Sequence, residues 1–219
     1  SRLSWESVLD LAEALTGALQ LLHEKELVYG VVQPEKVLFA GLSPVLIDVR
    51  VDRAATLYRT NHAVTPEEMT YWSPELGENS TAFSVHGDLY SLGATLYKAL
   101  TGRGVVSGTS VEEVRGNVLY EIPQSPASIV MDCPVWLDKL IMQLLEKDPN
   151  DRPHGAAAVV LALQEVRRRS MSRAGVAEHV SRGFSPLNVT DQKERDEARI
   201  LLGHGALDID EDKVVERPE

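Results

Sequence analysis

Six histidines and one cysteine could serve metal or nucleophilic chemistry in this chain, and their spacing supports neither. None of the histidines, His23 in Leu22-His23 included, has a metal-ligand spacing, so each reads as a core or surface residue, and His154 merely follows Pro153 at a helix start. Cys133 stands alone, which excludes an internal disulfide and a cysteine-based zinc cluster. Preceding Pro134 at the start of an amphipathic segment, it reads as a small buried residue. Gly102-x-Gly104 suggests a phosphate cradle, but no strand feeds it and no nucleotide-binding lysine follows, so the run to Gly108 reads as a loop. Arg167-Arg168-Arg169 and Arg173 could bind an acidic partner; a solvated helix end, favoured by the helix dipole, accounts for them better.

A fuller pattern lies in Val28-Tyr29-Gly30-Val31-Val32-Gln33-Pro34-Glu35-Lys36-Val37-Leu38-Phe39 and in four segments that follow it in order. Val45-Leu46-Ile47 leads into Asp48-Val49-Arg50. Tyr71-Trp72-Ser73-Pro74-Glu75 comes next, then Asp88-Leu89-Tyr90-Ser91-Leu92-Gly93 continuing to Leu96-Tyr97-Lys98-Ala99-Leu100-Thr101-Gly102. Leu144-Leu145-Glu146-Lys147-Asp148-Pro149 with Arg152-Pro153 closes the series. In this order and spacing, over residues 5 to 165, the chain resembles the large lobe of a protein kinase of the Ser/Thr type, and is similar to bacterial members.

The resemblance implies a catalytic loop that has kept its frame and lost its reactive groups. In that family the loop's Asp accepts the proton of the substrate hydroxyl, its Lys neutralises the transferring phosphoryl group and its Asn holds a magnesium ion. The corresponding residues here are Val31, Gln33 and Lys36. A positioned general base is typically worth about 100- to 10,000-fold in rate, and Val31 cannot supply it. Gln33 brings no positive charge to the phosphoryl oxygens. Lys36 opposes a metal: like unit charges about 4 Å apart cost roughly 4 kcal/mol at an effective dielectric near 20, and a divalent ion about twice that. Asp48 is the one metal-binding position retained, with Val49 and Arg50 where the family has Phe and Gly; Arg50 is placed to pair with Asp48 instead.

The scaffold positions that the resemblance implies are all present. Glu75 and Arg152 match a buried ion pair between the end of the activation segment and the last turn of the lobe, and Asp88 matches the helix residue that hydrogen-bonds the catalytic-loop backbone. Val49, Arg50, Tyr71, Trp72, Ser73 and Pro74 take activation-segment positions. The expectation is therefore a catalytically inactive domain, not an enzyme, whose surface around the activation segment and the helices near 111 to 118 and 134 to 145 binds a protein partner. No cofactor is expected. The alternative is a Ser/Thr kinase fragment that binds ATP and Mg2+, or transfers phosphate slowly, once a small lobe is supplied.

Length and composition agree with a globular protein. At 219 residues and 43% hydrophobic the chain can bury one sizeable core. A net charge of -11 repels phosphates, which argues against nucleic-acid and anionic-membrane surfaces. No run of about 18 apolar residues or signal pattern is present, so no membrane segment is expected and a reducing cytoplasmic setting is the default. The chain opens on Ser1 and reads as a fragment or processed product; the family's small lobe would precede residue 1, and nothing here matches it.

The elements that must position these residues follow from periodicity. Residues 5 to 24 form an amphipathic helix on Val8, Leu11, Leu15, Ala18, Leu19 and Leu22, capped by Ser4. Leu27 to Tyr29, Val37 to Phe39 and Val45 to Asp48 read as short strands around a hairpin. Val49 to Thr70 reads as a polar surface loop, and Ser84 to Leu100 as a helix buried on most sides. Ser110-x-x-Glu113 reads as a capping box opening a helix near 111 to 118; Pro134 to Leu145 and Ala156 to Val166 are further amphipathic helices. The predicted fold is mainly α with a small β-hairpin region, a kinase-like large lobe over 1–169 without the small lobe. A tail over 170–219 carries a short helix at about 191–202 and an acidic end.

Overall fold

The computed structural model describes residues 2–41, 43–47, 64–79 and 82–181, with side chains described through residue 168. Two compact units divide the chain, Ser1–Arg167 and Arg168–Glu219. The predicted helix at 191–202 and the acidic end lie outside the described residues.

The first unit begins with α1 (Trp5–His23), whose entry is set by Ser4 Oγ accepting from the Ser7 amide at 3.3 Å. Its apolar stripe, Val8, Leu11, Leu15 and Leu19, is buried. The chain then runs extended to a 3-10 turn (Pro34–Lys36) and into the antiparallel hairpin of β1 (Val37–Ala40) and β2 (Ser43–Leu46), in the register Val37↔Leu46 to Ala40↔Ser43. The strand expected at Leu27–Tyr29 is not formed. The Tyr29 amide is taken by the Asp88 side chain of a later helix and the Leu27 amide by Leu22 O at 3.0 Å, so neither is left for a ladder.

Two short helices follow, α2 (Pro66–Met69) and α3 (Pro74–Glu78). The first interrupts what the sequence presents as loop, and it is entered through a reciprocal capping box between Thr65 and Glu68. Next come α4 (Val85–Thr101), α5 (Val111–Tyr120), α6 (Pro126–Ile129), α7 (Val135–Leu144), a 3-10 turn (Pro149–Asp151) and α8 (Ala156–Ser181), which runs well past the expected Val166. The box expected at Ser110 is half present: Ser110 Oγ accepts from the Glu113 amide at 3.2 Å, but the Glu113 carboxylate turns to the amide and hydroxyl of Thr109, 2.8 Å from each.

The lobe is organised around α4, in which every residue from Gly87 to Tyr97 is buried. It packs on α1 and on α7. Gly93 makes the second contact possible, since a Cβ there would lie 2.7 Å from Leu144 Cβ. At the foot of α4, Arg152 is 2% exposed and uses all five guanidinium donors. Nε donates to Glu146 O at 2.8 Å; Nη1 to Glu75 Oε1 and His86 O, both at 2.8 Å; Nη2 to Glu75 Oε2 at 2.8 Å and Lys147 O at 3.1 Å. The guanidinium also lies 5.1 Å from the Tyr90 ring centroid. One correction to the sequence reading concerns Glu75, whose side chain is 21% exposed where burial of both charges was expected. Burial alone would push the Glu75 carboxyl up; the hydrogen bonds and charge of Arg152 outweigh it and hold the carboxyl below its ordinary value.

Because Arg152 is the fully buried member, removing its partner leaves a buried cation with three carbonyls and no countercharge. Glu75→Ala is therefore expected to cost about 3 to 5 kcal/mol in urea melts; a loss indistinguishable from that of a surface substitution would contradict this. Beside the pair, Lys147 Nζ donates to Val118 O at the end of α5 and lies 6.0 Å from the Tyr90 ring. Burial depresses its ammonium to about 8, with Glu121 pulling the other way. The unfolded chain holds that proton up to about pH 10.4, so between about pH 8 and that value the unfolded state binds more protons and Lys147 makes stability rise with pH. Cys133, whose thiol burial raises to about 11, acts in the opposite sense. The readout is therefore the difference between the wild type and Lys147→Met, whose stability should climb less, or fall more, across this window.

Candidate functional site

The expected catalytic loop is suspended from one face of α4. Asp88, Ser91 and Thr95 share that face at i, i+3 and i+7, and each bonds loop backbone. Asp88 Oδ2 accepts from the Tyr29 amide at 2.8 Å and Oδ1 from the Gly30 amide at 2.7 Å. Ser91 Oγ accepts from the Val32 amide at 2.9 Å while donating to Asp88 O, and Thr95 Oγ1 donates to Val32 O at 3.1 Å. The Asp88 side chain is fully buried, and a carboxylate held there requires such donors. A third comes from His23, whose Nε2 lies 3.0 Å from Oδ2.

The side chain of Val31 points into the core, 8% exposed. Its carbonyl faces the other way and accepts from Lys36 Nζ at 3.1 Å. The same ammonium lies 5.6 Å from the Tyr29 ring centroid. The Tyr29 hydroxyl donates to Ile47 O, and the Ile47 amide to Lys36 O at 2.9 Å, which ties the loop to the residue after β2. Gln33 caps the 3-10 turn with its backbone only and is half-buried.

Asp48, Val49 and Arg50 lie outside the described residues. Tyr71, Trp72, Ser73 and Pro74 are all buried at the entry to α3. Burial, then the Glu35 and Glu67 carboxylates, push the Tyr71 phenol above its ordinary range. Tyr71 lines a hollow of about 490 Å³ together with Thr65, Lys98, Gly104, Val106 and Val114.

Chemically, the loop presents no acid or base at position 31 and an ammonium at position 36. These residues do not fit the magnesium ion that the family resemblance implies: Lys36 brings a positive charge where a ligand oxygen would be needed. Among the described residues no group of three or more His, Cys, Asp or Glu could hold a metal.

The sequence reading paired Glu75 with Arg152 and placed Asp88 on the loop. It missed His23, Ser91 and Thr95. His23 has no spacing signal, whereas the other two were visible as polar residues at helical spacing from Asp88 within an otherwise apolar helix.

Gly30 completes the loop with φ +110°, a conformation open to glycine. A Cβ there would meet the Phe83 ring at an ordinary 3.6 Å, so strain and not collision is the cost. Gly30→Ala is expected to lose about 1 to 3 kcal/mol in denaturant melts, and a variant as stable as the wild type would mean that the loop tolerates another backbone path.

Residues 2–163 match the protein kinase domain family. The chain is 31% identical over 170 residues to the serine/threonine-protein kinase PknK of Mycobacterium tuberculosis, an alignment covering 77% of this chain and 15% of that protein. It is 28% identical over 180 residues to the probable serine/threonine-protein kinase CE0033 of Corynebacterium efficiens, covering 78% of this chain and 27% of the relative. The chain thus spans well under a third of the length of either. In three dimensions it is similar to Rad53 1-466, solved in complex with AMP-PNP, with a TM-score of 0.60, 18% identity, and coverage of 73% of this chain and 40% of that one. With a loop hung from a buried central helix and a family match over three quarters of its length, this chain belongs to the protein kinase domain family, of which it carries the large-lobe fold.

Proposed function

We propose that this chain is a catalytically inactive protein kinase-like domain that serves as a protein-interaction or regulatory module in signalling. The observation that carries the reading is the fate of the base position: Val31 directs its side chain into the core and offers its carbonyl to Lys36. A side chain turned inward and apolar leaves the substrate hydroxyl without an acceptor for its proton, and a positioned base is typically worth about 100- to 10,000-fold.

The retained interior supports the second half of the proposal. Asp88, Arg152 and Glu75 preserve the shape of the activation-segment face, and the hollow beside Tyr71 and Lys98 opens there. Tyr120 and Ile122 at the end of α5, Met131 after α6 and Val135 at the start of α7 are large apolar side chains left exposed. Apolar side chains left in water are stabilised when a partner covers them.

The test is phosphoryl transfer from radiolabelled ATP to generic protein substrates, with magnesium and with manganese. The expected result is no incorporation above a protein-free blank. Steady incorporation that rises with protein concentration and vanishes in Asp48→Ala would contradict the proposal and favour a working kinase fragment.

A further inference from the structure

We infer that the Lys36 ammonium takes the place of a divalent metal ion as this loop's own tethered counter-cation, so that the loop keeps its shape without a metal and rejects one. The inference goes beyond the interaction-module reading and does not depend on it. It starts from the disagreement between the family's magnesium and the residues present.

Three features fix the cation in place. Lys36 Nζ sits 3.1 Å from the Val31 carbonyl oxygen, the negative end of a peptide dipole. It faces the Tyr29 ring at 5.6 Å, a distance at which the ring's negative face attracts an ammonium. The backbone of Lys36 is held at both its carbonyl and its amide: Ile47 N donates to Lys36 O at 2.9 Å, and Lys36 N donates to Gln33 O at 3.0 Å. The stem is half-buried, so the charge does not swing freely into water.

A cation bound through its own chain differs from a metal in one decisive respect. It cannot dissociate, be chelated or be withdrawn by a departing nucleotide. The loop from Val31 to Lys36, closed by this contact and hung from Ser91 and Thr95 at Val32, therefore has one resting arrangement whether or not divalent ions are present. A second cation entering beside Nζ would meet a like charge in a partly desolvated setting, where repulsion is stronger than in water.

The test uses nitrogen-15 spectra of the full chain titrated with manganese, read at the amides of Val31, Val32 and Gln33, for the wild type, Lys36→Asn, Lys36→Gln and Lys36→Arg. In the wild type and Lys36→Arg these amides should broaden no more than surface amides elsewhere, and a chelator should leave their positions unchanged. In the neutral variants they should broaden selectively and saturably, with competition by magnesium. Two neutral variants keep the test valid if one folds poorly. Selective, magnesium-competed broadening in the wild type would overturn the inference, and so would neutral variants that behave like the wild type.

Discussion

The interaction on which the rest of this lobe depends is the seam between α4 and the loop at residues 29 to 32. One carboxylate, one serine and one threonine on a single face of a buried helix take up three amides and a carbonyl of an extended segment. Without them those backbone groups would be buried and unpaired, at a cost of about 1 to 3 kcal/mol each. The seam fixes where Val31 points and where Lys36 finds its carbonyl. Through Tyr29 and Ile47 it also fixes the hairpin. Close by, at the start of α4, Arg152 ties His86 O, the approach to the last 3-10 turn and the helix α3 together with one guanidinium.

This division separates what holds the fold from the side chains at positions 31, 33 and 36. The seam is made of backbone groups on one side and α4 side chains on the other. Substituting at positions 31, 33 and 36 leaves every hydrogen bond to α4 intact. The apolar side chain at position 31 joins the core, and the lysine at 36 finds a new partner in a carbonyl that the fold already held in place.

Elements with a sustained helical period were legible in the sequence: α1, α4, α5, α7 and the start of α8 begin and end close to where apolar spacing and caps put them. The helices α2, α3 and α6 were not. Each has four or five residues and opens on a proline, Pro66, Pro74 and Pro126, so too few positions exist to show a period. The segment Leu27–Tyr29 has the composition of a strand but gives the Leu27 amide to Leu22 O and the Tyr29 amide to Asp88, the second a tertiary choice that no local pattern reveals. At the site, the Glu75–Arg152 contact followed from resemblance. Its asymmetry, a fully buried arginine against a partly exposed glutamate, depends on packing around α3 and could not be read from residue types. The turn of Lys36 back toward Val31 likewise required the geometry of the 3-10 helix between them.

The most direct test of this account is native-state hydrogen exchange at Tyr29, Gly30 and Val32. If the seam holds the lobe together, these three amides exchange only through global unfolding, with the same opening free energy as the most protected amides of α4. Exchange at the much faster rate of a locally opening loop, while α4 remains protected, would show that α4 folds without the loop and would contradict the account.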